Sequence, residues 1–88
     1  MIFIEKIRLA GGETHEHIAD VQWRNPGNNE IGTSSKQAVI DWLRQGGQAL
    51  VTDGSRVVEV RVVEATPAYI QTWADGVLTN NLLALPRF

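Results

Sequence analysis

Leu50-Val51-Thr52-Asp53-Gly54-Ser55-Arg56-Val57-Val58-Glu59-Val60-Arg61-Val62-Val63-Glu64 decides the fold class. Two runs rich in β-branched residues flank Asp53-Gly54, a pair that tolerates the backbone of a two-residue hairpin turn. The reading is a short strand over residues 50–52 and a return strand over 56–64. On the return strand Val58, Val60 and Val62 alternate with Val57, Glu59, Arg61 and Val63, the period of a strand with one buried face. Pro67 restricts Thr66 and ends that strand. A further strand is expected over 68–73, leading into a turn at Ala74-Asp75-Gly76.

Working back toward the start, Ser34 with Gln37 three residues later has the form of a capping box. Val39, Ile40, Trp42 and Leu43 then recur at helical spacing. Gly46 and Gly47 stop that helix after about three turns by supplying a left-handed C-terminal cap. Asn25-Pro26-Gly27-Asn28-Asn29 is dense in turn formers and is read as the main loop. Before it, residues 17–23 alternate as a strand, and residues 2–10 form another whose apolar face switches between Ile4 and Ile7. A bulge at Glu5 and Lys6 accounts for the switch, and Gly11-Gly12 permits a hairpin between the two strands.

The expected fold is therefore α+β, an antiparallel sheet of four to five strands with one α-helix packed on one face, in the order β-β-α-β-β-β plus a C-terminal tail. Residues 1–88 make one domain. A chain this short buries only about 60 to 65% of its unfolded surface. It has no cysteine, so disulfides and thiolate zinc sites are excluded and association becomes the favoured source of extra stability. The sheet face away from the helix is left to water or to a second subunit. If Val57, Val63, Tyr69 and Trp73 share that face, they form an apolar patch fit for a partner.

The eight basic and ten acidic residues are scattered, which argues against nucleic acid as a partner because phosphate tracking needs concentrated positive charge. No apolar run approaches the roughly 20 residues of a membrane span, and the start carries no readable signal peptide. The expected location is the cytoplasm, without a membrane partner.

The chemistry-bearing side chains do not converge in sequence. His15 and His17, flanked by Glu13, Glu16 and Asp20, have the spacing of a bare H-x-H metal pair, but the weightier reading is a solvated hairpin mouth, so no metal and no cofactor are assigned. Ser34 and Ser35 read as helix caps and Ser55 as a turn residue. With no nucleophile, oxyanion site or phosphate loop, no enzyme activity is expected.

Trp42 reads as helix–sheet core with Trp23 beside it, and Trp73 as partly exposed. In the tail, Thr79 or Asn80 caps a single helical turn over residues 82–85 that Pro86 halts. The leucines there either close the domain's own core or dock on a second subunit. The candidate partner or ligand surface is Tyr69, Thr72, Trp73, Asn80, Asn81, Leu82, Leu83 and Leu85.

Taken together, His17-Ile18 and Val21, the capped helix with Val39-Ile40 and Leu43 before Gly46, Tyr69-Ile70 and Thr72 before Asp75-Gly76, and Asn81-Leu82-Leu83 with Leu85-Pro86 resemble a known family. They are similar to the bacterial and phage proteins grouped as the domain of unknown function numbered 3892. The resemblance implies a short single domain with no assigned activity, cofactor or catalytic residue. The expected function is a non-catalytic binding or assembly module that associates with itself. The alternatives are an accessory protein of phage or host defence that inhibits a larger enzyme, and a protein that sequesters a small molecule in a pocket lined by Tyr69, Thr72, Trp73, Asn80 and Asn81.

Overall fold

The computed structural model describes residues 1–88. The expected hairpin is present as β4 (Ala49–Thr52) and β5 (Val57–Val63), joined by the four residues Asp53 to Arg56 rather than by a two-residue turn. Its turn is held by Asp53, whose Oδ1 accepts the backbone N–H of Ser55 at 2.9 Å and of Arg56 at 2.8 Å. β6 (Tyr69–Ala74) pairs antiparallel with β5, and β7 (Val77–Thr79) returns along β6. The two residues between them, Asp75 and Gly76, have φ of 53° and 83°, the left-handed pair that a tight hairpin requires.

At the other end, β1 (Ile2–Leu9) pairs antiparallel with β2 (Ile18–Asn25), and β2 with β3 (Glu30–Ser35). The β1–β2 register shifts between Ile4 and Lys6. The bulge lets Ile4 and Ile7 both enter the core despite their odd spacing. Helix α1 (Lys36–Arg44) follows β3 directly and carries the chain across to β4, which lies parallel to β1. The sheet order is β3-β2-β1-β4-β5-β6-β7.

This corrects the expected antiparallel sheet of four to five strands: the sheet has seven strands and is mixed. Three physical causes account for the difference. β3 is an edge strand of Glu, Ile, Gly, Thr and two Ser, without the apolar alternation that marks a half-buried strand. β7 is three residues long and owes its existence to the Asp75-Gly76 turn and to pairing with β6. The parallel β1–β4 contact arises from a helical crossover, a relation between distant segments that leaves no local signature.

The helix ends conform closely to rule. Ser35, not Ser34, is the N-cap, its side chain accepting from Ala38 N at 3.1 Å. At the C-terminus Gly46 N–H donates to Leu43 O at 3.1 Å and Gly47 N–H to Trp42 O at 2.9 Å, the paired bonds of a Schellman cap, with Gly46 at φ 97°. Val39 and Ile40 face inward against Ile4, Val21, Val58, Val60 and Ile70 in a single core.

The tail completes the domain. Beyond β7, Ala84 N–H donates to Asn80 O and Leu85 N–H to Leu82 O, both at 3.2 Å, giving one turn ahead of Pro86. Leu82 is fully buried in the core. Pro86 O then accepts Ile7 N–H at 3.0 Å, and Phe88 N–H donates to Ile7 O at 3.1 Å. The last residues thus occupy a stretch of β1 that β4, paired only at Ile2 and Phe3, does not reach.

Candidate functional site

One cross-strand row runs over all seven strands. Ile31 pairs with Arg24, Arg24 with Phe3, Phe3 with Leu50, Leu50 with Glu59, Glu59 with Trp73, and Trp73 with Leu78. Paired residues in a sheet project to the same side, and Val21, Val51, Val58, Val60 and Ile70 fill the other side as core. The row therefore marks the face turned away from the core. Alternation adds Val57, Arg61, Val63, Tyr69 and Gln71 to it, so the condition for an apolar patch is met: Val57, Val63, Tyr69 and Trp73 share one face.

Guanidinium groups lie on the rings of this face. Arg61 sits 3.9 Å from the centre of the Trp73 ring, and Arg24 5.6 Å from that of Phe3. Each arginine also pairs with a carboxylate, Arg61 with Glu59 at 3.4 Å and Arg24 with Glu5 at 3.1 Å. The largest uncovered apolar side chains here are Ile31, Val57 and Leu78, at 64, 57 and 47% exposure.

The remaining residues singled out in the sequence fall elsewhere. Thr72 is fully buried on the core side of β6. Its hydroxyl donates to Thr79 O and accepts Asn81 N–H, both at 3.1 Å, while the Thr79 hydroxyl donates to Asn81 Oδ1 at 2.6 Å. This knot fastens the tail to the β6–β7 hairpin. Asn80 is exposed, Leu82 is core, and Leu83 and Leu85 are half-buried against that core. Tyr69 and Trp73 thus lie on one side of the sheet and Thr72 and Leu82 on the other, so the chosen residues divide between an outer surface and an internal fastening.

His15 and His17 occupy a single 3-10 turn between β1 and β2. His15 is 8% exposed, packed in a turn that lies against β6, and its Nε2 has no hydrogen-bond partner. Burial holds its pKa below the ordinary 6.5. His17 instead points its Nδ1 at the Thr14 hydroxyl, 2.8 Å away. The two rings thus have different surroundings, and no group of three or more His, Asp or Glu side chains gathers in a metal-holding arrangement.

Two hollows mark the surface. One, of about 310 Å³, lies between the tail and the end of β4 and is lined by Asn81, Leu85 and Pro86 among others. The other, of about 290 Å³, opens between α1 and the β3-β2-β1 end of the sheet. The helix contributes Ala38, Val39 and Trp42 to it, and the strands contribute Ile2, Trp23, Asn25 and Ser34. Trp23 Nε1 donates to Ser34 Oγ at 2.9 Å.

Sequence reasoning paired the two tryptophans but missed this hollow. The available signal was Gly32, because a glycine inside a strand often marks the close approach of another group. Here the Trp23 ring lies on Gly32, and the Trp42 ring lies on Gly47 in the same way.

Fold and surface define a class: a one-helix, mixed-sheet domain with an uncovered sheet face and an indole-lined hollow. The family model described as "Protein of unknown function (DUF3892)" matches residues 3–86, and the chain belongs to that family. Comparison with curated proteins and with solved structures gave no match.

Proposed function

We propose that the protein is a non-catalytic binding module that associates with itself through the helix-free face of its sheet. The observation that carries this reading is the seven-strand row, apolar at both ends in Ile31 and Leu78 and flanked by Val57, Val63 and Tyr69, with Ile31, Val57 and Leu78 exposed on it. Adjacent opposite charges on the same face, Glu59 beside Arg61 and Glu5 beside Arg24, suit a two-fold partner. In a two-fold interface each patch meets its own copy, so a surface carrying both signs can be complementary to itself.

The side chains most easily imagined as nucleophiles have structural duties, which supports the non-catalytic part. Ser34 receives the Trp23 indole, Ser35 caps α1, and Ser55 donates to Asp53. No helix is long and apolar enough to cross a membrane. A cysteine-free chain of this composition suits the cytoplasm of a bacterium or phage host.

Light scattering on the purified chain tests the reading. The expected mass at high micromolar concentration is about twice the protomer's 9.7 kDa. Val57→Lys with Leu78→Lys, both at exposed positions, should return it to a monomer with an intact circular dichroism spectrum. A wild-type monomer throughout that range refutes self-association.

A further inference from the structure

The hollow between α1 and the β3-β2-β1 end of the sheet is on the helix side, away from the proposed association face. Its two largest walls are the Trp23 and Trp42 rings, and each is seated on a glycine whose replacement by any residue with a Cβ would drive that carbon into the ring. Close seating at Gly32 and Gly47 fixes both indoles and presets the walls. The volume of about 290 Å³ is roughly twice that of a cavity of about 150 Å³ known to take benzene. It admits a single ring with a substituent, or a small bicycle.

The polar groups then select among such rings. Ser34 Oγ accepts the Trp23 N–H at 2.9 Å and keeps its own hydroxyl proton to offer a ligand. Asn25 Oδ1 accepts the Gly27 N–H at 2.9 Å, and the Asn25 amide protons can donate to a ligand. Both polar lining groups can donate to a ligand, and no ionisable side chain lines the hollow. A charged ligand would lose hydration there without gaining a counter-ion.

We propose that this hollow binds an uncharged planar aromatic small molecule carrying an acceptor oxygen, its ring against Trp23 and Trp42 and its oxygen toward Ser34 and Asn25. The test is an NMR titration of the full-length ¹⁵N-labelled chain with benzamide as probe. The indole N–H signals of Trp23 and Trp42 should shift saturably, with a Kd of about 1 mM for so small a ligand, while that of Trp73 stays in place.

Ala38→Leu, at an exposed helix position lining the hollow, should weaken binding at least fivefold with the melting temperature unchanged. Leu78→Lys, on the other face, should leave binding unaltered, which separates this site from self-association. Benzoate should bind at least fivefold more weakly than benzamide. The proposal is overturned if Trp23 and Trp42 show no saturable shift, if Trp73 shifts equally, or if folded Ala38→Leu binds as the wild type does. Equal binding of benzoate overturns the restriction to uncharged ligands.

Discussion

Thr72 shows how one hydroxyl can organise a chain end. It is buried, donates to Thr79 O and accepts from Asn81 N–H, so replacing it with the near-isosteric Val leaves the backbone amide of Asn81 without its acceptor. Thr72→Val should therefore lower stability by about 1–3 kcal/mol, read as a fall in the urea midpoint at constant slope. An unchanged midpoint would mean that water takes over the bonds. His15 provides a second test at this scale. Its burial disfavours the imidazolium in the folded state, whereas the unfolded chain takes up the proton near 6.5. The unfolded state thus binds more protons below 6.5, and stability present above that value declines as pH falls through it toward the folded pKa. His15→Phe should flatten this part of the pH–stability curve. A wild-type curve level from pH 7 to 5 would rule out the assignment. Neither role was legible beforehand: a Thr on a strand and a His at a turn have the same one-letter appearance whether they face water or core.

Elements were legible to the extent that their signals are local. The hairpin at Asp53-Gly54, the bulge near Glu5, the helix and its glycine stop all follow from backbone preferences and short-range periodicity, and all are present. β3 and β7 were not legible, because Gly32 and the serines of β3 and the three residues of β7 acquire strand geometry from the neighbours they pair with. The tail stood between closing the core and docking on a partner. Its Leu82 is fully buried within the chain, and its turn is knotted to Thr72. Leu82→Ala should cost about 2–5 kcal/mol, as for other buried leucines, measured by thermal or urea unfolding of the purified protein. A loss below about 0.5 kcal/mol would show that the tail's packing is dispensable to the fold.

Across the whole molecule, the sheet separates two surfaces with different chemistry. One carries the arginine-covered aromatic row, the other the helix and the indole hollow. In the sequence Tyr69, Thr72 and Trp73 look like parts of one surface, and the strand period of two sends Thr72 to the opposite side. What the sequence alone determined was a set of local conformations: five of the seven extended segments, the turn at Asp75-Gly76, the one helix and its glycine stop, and that no cysteine staples them, since each depends on residues a few positions apart. Only the tertiary structure decided the mixed order of the sheet, the face on which each aromatic lies, and the hollow that Trp23 and Trp42 line. These depend on register and on contacts between segments far apart in the chain, where a shift of one residue moves every side chain of a strand to the other face.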